Sequence, residues 1–181
     1  FSIQTEFAQT EIIPDSLGSY LLLIPKSRAL TASIGISYDT RDDLLNPLAG
    51  VYYQTSIQSG VKDNLGPDDL VKELNLKKEV DNKRLTLDIE FYSQLFKRQV
   101  LAVAFHGRQI TSNEAIIPLP DQYRLGGART LRGYREDQFR GSGIGWLNLE
   151  YRYILGRRSR AFVFTDAGYF NSTTLSGKNE A

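Results

Sequence analysis

Strict alternation of apolar and polar residues constrains this chain more than any other feature. In "RLTLDIEF", Leu85, Leu87, Ile89 and Phe91 share one side of an extended backbone, while Thr86, Asp88 and Glu90 share the other. "LTASIGISYD" sets Leu30, Ala32, Ile34, Ile36 and Tyr38 against Thr31, Ser33, Gly35, Ser37 and Asp39. "WLNLEYRY" sets Leu147, Leu149, Tyr151 and Tyr153 against Asn148, Glu150 and Arg152. A period of two means β-strands, because successive Cβ atoms point to opposite faces. Helical periodicity is poor throughout; only "PDDLVKELNLKKE" (Pro67–Glu79) suggests a short helix, placed inside a loop.

The pattern predicts strands near 1–11, 30–41, 50–60, 82–95, 98–110, 143–154 and 159–170. Most reach the roughly 9–11 residues that a tilted membrane-spanning strand requires. No apolar run approaches the ~18 residues of a transmembrane helix, so helical spans are excluded. A transmembrane barrel survives that test, because its alternating strands leave little hydropathy signal. Ten tyrosines and nine phenylalanines suit aromatic girdles, although a soluble β-sandwich can hold as many. The polar faces, rich in Thr, Ser, Gln, Asp, Glu and Arg, fit a wide hydrated lumen.

Connections sort by length. Long polar segments (12–29, 61–81, 111–142 and 171 onward) alternate with short ones (42–49, 96–97, 155–158). Outer-membrane barrels divide their connections this way, with short periplasmic turns and long extracellular loops. An odd set of seven strands leaves open edges that lipid does not tolerate. The 181 residues are therefore read as an internal fragment of a larger barrel.

Composition narrows the function. A net charge of +1 gives no basic field for nucleic acid. No cysteine and a single histidine, His106, argue against a metal site, and no cofactor motif is present. His106 falls on the polar face of "VLAVAFHGRQ" and reads as a lumen side chain. The carboxylate pairs Asp42/Asp43 and Asp68/Asp69 lie in turns without a base or nucleophile beside them, so no enzyme is expected. Trp146 opens a strand and suits an interface or a lumen position equally.

Two segments stand out. "YDTRDDLLNPLAG" (Tyr38–Gly50) reads as a hairpin with Asp, Asn, Pro and Gly turn chemistry. Its Asp39, Arg41, Asp42 and Asp43 could also pair at a membrane rim. Further on, Arg124, Arg129, Arg132, Arg135 and Arg140 fall within 17 residues. Charge runs are usually solvated, but Gly133 admits positive φ or a close backbone approach, so that Arg132 and Tyr134 could press against a wall. An inward Arg132 needs carboxylates, because unpaired buried charge is costly. Glu150, on the polar face, and Asp166, in "FVFTDAGYF", are the candidates. The other four arginines read as solvated or rim charges.

"RLGGARTLRGYREDQF", followed by "NLEYRYIL" and "FVFTDAGYF", resembles the C-terminal barrel of the bacterial surface antigen superfamily. That group includes BamA-like barrel-assembly proteins, TamA-like translocation proteins and two-partner-secretion transporters. "YDTRDDLLNPLAG", with Pro47 and Gly50, is similar to the superfamily's Asp-rich hairpin. The resemblance covers most of the chain and implies an all-β fold, an antiparallel transmembrane β-barrel of sixteen strands preceded by periplasmic POTRA domains. The fragment would supply about seven strands, the seventh to the thirteenth, and 111–142 would be the sixth extracellular loop. By the same resemblance Arg132 enters the lumen and latches onto Glu150 and Asp166, with Gly133 and Tyr134 completing the motif; Leu131 stands where Val or Ile is usual.

The expected location is the bacterial outer membrane. The expected function is the insertion or folding of other β-barrel proteins there, with polypeptide translocation or secretion as the alternative. Expected partners are outer-membrane lipid, unfolded outer-membrane proteins and accessory periplasmic lipoproteins. A barrel fused to a lipase-like domain would need a Gly-x-Ser-x-Gly motif, which this stretch lacks.

Overall fold

In the computed structural model, residues 1–14, 25–73, 75–114, 117–173 and 179–180 are described. Seven long strands run antiparallel in one sheet: β1 (Ser2–Ile12), β2 (Lys26–Asp39), β3 (Gly50–Gly66), β4 (Glu79–Phe96), β5 (Gln99–Ser112), β8 (Gly143–Gly156) and β9 (Ser159–Thr173). The short β10 (Asn179–Glu180) pairs onto β9. Between β5 and β8 the chain leaves the sheet to form a two-stranded ribbon, β6 (Tyr123–Leu125) and β7 (Phe139–Gly141). A six-residue helix, α1 (Asp68–Glu73), lies within the 67–79 segment that carried the helical pattern and buries Leu70.

Neighbours in the sheet are neighbours in sequence, apart from the excursion between β5 and β8. That meander is the topology of an up-and-down barrel wall, here open between β1 and the β9–β10 side. Two-residue turns join β4 to β5 and β8 to β9 at one end, and the 40–49 turn lies at that same end. The long connections, including 113–142, leave from the opposite end.

Strand bounds differ most at the long-connection end. β3 continues to Gly66 beyond the expected 60, β4 begins at Glu79 ahead of 82, and β2 begins at Lys26 ahead of 30. These extensions are polar, such as "KDN" in Lys62–Asn64, and lack the apolar alternation that marks a strand in sequence. Their backbones still close ladder pairs, as in Lys62 with Val80 and Asp63 with Glu79. The face they bury is largely polar, with Ser27, Lys62 and Asn64 buried beside Val80, so apolar alternation does not announce it.

The two sheet faces differ sharply. Leu30, Ile34, Ile57, Leu85, Phe91, Leu147 and Val163 share the outer face and are exposed. A continuous apolar belt of this extent marks a membrane contact, because water penalises every part of it. The inner face carries the charged and polar side chains around two small apolar clusters and is covered in part by the β5–β8 connection. Leu125 and Leu131 of that connection pack on Ile144 and Trp146 of β8, with Tyr123, Phe139 and Phe170 alongside. Trp146 is thus a lumen residue.

Candidate functional site

Register sets the site. Asn148 of β8 stands opposite Asp166 of β9, and Glu150 stands opposite Phe164, so alternation turns Asn148, Glu150, Phe164 and Asp166 to the same inner face. The loop brings Arg132 down onto them. Its Nε donates to Asp166 Oδ2 at 2.8 Å and a terminal nitrogen donates to Asp166 Oδ1 at 2.6 Å, a two-pronged grip. The other terminal nitrogen pairs with Glu150 Oε1. Its own backbone N–H donates to Asp166 Oδ2 at 2.9 Å, fixing the main chain as well as the side chain.

The guanidinium also lies flat over Phe164, with its carbon 3.8 Å from the ring centre, in a favourable cation–π geometry. Asn148 completes the clasp by donating to both Asp166 Oδ1 and the Thr130 carbonyl, each at 2.8 Å. Hydrogen bonding to Asp166 raises the Arg132 pKa further above its ordinary value, so the charge is permanent. A planar fork is what lets one residue hold two carboxylates; a lysine cannot reproduce it.

Gly133 and Tyr134 behave differently from Arg132. Gly133 has φ +92°, and a Cβ there would meet nothing within 4 Å. The glycine serves the backbone turn, not a tight approach. Tyr134 is half exposed and sets its ring edge against Phe139 within the loop, so it is not pressed against the wall. The close approach occurs at Gly168 of β9, where an added Cβ would sit 3.1 Å from Leu131 Cδ2 and 3.3 Å from Leu125 Cδ2.

The hairpin motif builds a second cluster at the tight-turn end. Arg41 grips Asp39 through Nε at 3.0 Å and a terminal nitrogen at 2.7 Å, and reaches Glu90 of β4 at 3.0 Å. It lies 4.4 Å over the Tyr52 ring. The bond to Asp39 raises the Arg41 pKa above its ordinary value. Asp42 Oδ1 accepts the N–H groups of Leu48 and Ala49, and Asp43 Oδ1 accepts those of Leu45 and Asn46. Those backbone donors hold the Asp43 pKa below the usual carboxylate value. Pro47 lies in the turn, and Gly50 closes it at φ +121°.

The two motifs are joined. Tyr92 donates to the same Glu90 oxygen at 2.7 Å, Arg152 lies 5.1 Å over the Tyr92 ring, and Arg152 Nε donates to Glu150 Oε2 at 2.6 Å. A chain of inward polar groups therefore runs Asp39–Arg41–Glu90–Tyr92–Arg152–Glu150–Arg132–Asp166. Sequence reasoning missed Glu90, Tyr92 and Arg152 as members, although alternation in "RLTLDIEF" and "WLNLEYRY" already put Glu90 and Arg152 on the polar faces.

It also missed a brace under the lumen. Asn46 donates to the Arg157 carbonyl at 2.9 Å, and Arg160 reaches Leu45 O at 2.8 Å and Asn46 Oδ1 at 2.6 Å. Leu48 packs against Tyr92, Val100 and Ala102. The turn thus folds across the β4–β5 pair. Among the remaining arginines, Arg124 pairs with Asp137 at an exposed position, while Arg129 and Arg135 are exposed. His106 stacks on Trp146 and meets Asp88 at 2.5 Å, with Arg108 on the same carboxylate.

An antiparallel wall with an apolar outside, a polar inside and a long loop clasped to its inner surface defines a membrane β-barrel with an inward-folded loop. The chain belongs to the Omp85 superfamily, whose domain matches residues 23–181. Proteins of this superfamily are β-barrels of the bacterial outer membrane that act in protein insertion or translocation rather than as enzymes. No curated protein matches the chain.

Proposed function

We propose that this chain is part of the barrel of an outer-membrane assembly protein that inserts or folds other β-barrel proteins, with Arg132, Glu150 and Asp166 acting as the latch of the 113–142 loop and Gly133 shaping the turn that delivers Arg132. The observation that carries the reading is the clasp of Arg132 on Asp166 and Glu150. A loop held at main chain and side chain fills lumen space, which favours work done by the wall and its strand edges over conduction through the pore. Substrate strands would then add to an exposed sheet edge by backbone pairing. Unfolded outer-membrane proteins would be the substrates, and accessory periplasmic lipoproteins the partners.

The test reconstitutes the intact protein in liposomes and follows the folding of a urea-unfolded outer-membrane barrel by its heat-modifiable migration on gels. Faster folding than in empty liposomes, reduced by Arg132→Ala, supports assembly. No acceleration, together with protease protection of an exported passenger inside the vesicle, would instead establish translocation.

A further inference from the structure

We propose that the two tight turns of this wall, Lys97–Arg98 and Arg157–Arg158, form one binding site for the headgroup of an anionic phospholipid in the leaflet at the tight-turn end. The two turns are neighbours because β5 pairs with β8. The Arg98 carbonyl accepts the Ile154 N–H at 2.8 Å, and β8 runs only two residues further to Gly156 before turning through Arg157 and Arg158. Four cations therefore gather at the ends of adjacent hairpins, and all four are exposed. None of them takes part in the ion pairs of the described residues. Asp43 is close enough to feel the Arg157 charge but forms no ion pair with it, and its Oδ1 is held by the backbone N–H groups of Leu45 and Asn46.

Turn chemistry gives a second, independent indication. Arg98 has φ +64°, the left-handed conformation that two-residue hairpins ordinarily give to glycine or asparagine. Backbone preference therefore does not account for a long cation at this position.

Its surroundings point to lipid. Leu95, Phe96, Tyr153 and Leu155 adjoin the turns and are all exposed, Phe96 at 68% and Leu155 at 57%. The cations therefore sit where the apolar belt ends and water begins, the level at which lipid phosphates lie. Long basic side chains bury their stems in the apolar zone and reach outward to such phosphates. An acidic soluble protein would pair with the cations and leave Phe96 and Leu155 without a purpose. The inference rests on reading the apolar face as a membrane wall.

The experiment places the intact protein in phosphatidylcholine vesicles carrying a trace of photoactivatable phosphatidylglycerol, and maps crosslinks by peptide mass. Crosslinks concentrated in 95–101 and 153–159, displaced by excess phosphatidylglycerol but not by phosphatidylcholine, are expected. The preference should fall by about fivefold for each cation replaced by glutamine, and further as salt is raised. Arg98→Asn keeps the positive φ comfortable, so the hairpin stays folded while the lipid preference drops. Equal labelling by photoactivatable phosphatidylcholine, or unchanged labelling in a folded Lys97→Gln/Arg98→Gln/Arg157→Gln/Arg158→Gln variant, overturns the assignment. That second result would return the patch to an acidic protein partner. Absence of labelling by either lipid anywhere on the outer face would overturn the membrane-wall reading itself.

Discussion

Removing the Arg132 side chain should release the loop from the wall while leaving the wall intact. Deleting one partner of a buried ion pair typically costs about 3–5 kcal/mol, since the charges left behind lose their compensation. Here the lower end applies. Glu150 keeps Arg152, and Asp166 keeps the Asn148 amide as well as the residue 132 backbone N–H, so neither carboxylate is stranded. The Arg132 side chain is also 16% exposed, which moderates the loss. About 3 kcal/mol remains, or roughly two decades in the docked-to-released equilibrium of the loop.

Hydrogen exchange measured by mass spectrometry on the intact Arg132→Ala protein reads this directly. Amides held in the loop, such as Gly126, which donates to Thr130 Oγ1, and Gly127, which donates to Leu131 O, should exchange about a hundredfold faster. Amides of β8 and β9 should not change. Arg132→Lys should fall between, because an ammonium cannot grip Asp166 with two parallel bonds. Unaltered protection in the loop of Arg132→Ala would refute the latch.

Other expectations separate space from backbone conformation. Gly168→Val should push Leu125 and Leu131 off β9 and expose Trp146 to acrylamide quenching, whereas Gly133→Ala should meet no atom and lose only about 1 kcal/mol from its positive φ. Glu90→Gln should weaken the hold on Arg41 and, through Tyr92 and Arg152, speed exchange in the 126–132 loop; a change confined to the 40–49 turn would disprove coupling along the polar chain. At the long-loop end, burial pushes the Glu114 pKa up. A raised folded-state pKa contributes stability that is fully present below the unfolded value and lost as pH rises through the folded one. Protection around Asn64, which donates to Glu114 at 2.9 Å, should therefore fall as pH rises above the usual carboxylate range, and Glu114→Gln should abolish that dependence.

Much of the wall was legible because lipid on one side and water on the other impose a period of two on every spanning strand. Leu85, Leu87, Ile89 and Phe91 disclose their face without reference to anything else. The same rule put Glu150 and Arg152 on the polar side, and the cost of burying an arginine alone led from Arg132 to carboxylates. The ribbon of β6 and β7 left no such trace, since three-residue strands are too short to show a period. The direction of Tyr134 is not legible for a related reason: a glycine neighbour announces an unusual φ but not which way the next side chain turns.

What the sequence determined by itself is local: which residues extend, which face is apolar, where the chain must turn, and that Arg132 needs acid. Partnership across the lumen was decided only by tertiary structure. Arg41 meets Glu90 from 49 residues away, and Asn46 meets the Arg157 carbonyl from 111. Those meetings depend on strand register and on how the sheet brings distant turns together. A one-residue slip would turn Glu150 and Asp166 to the lipid side and leave Arg132 with nothing to hold.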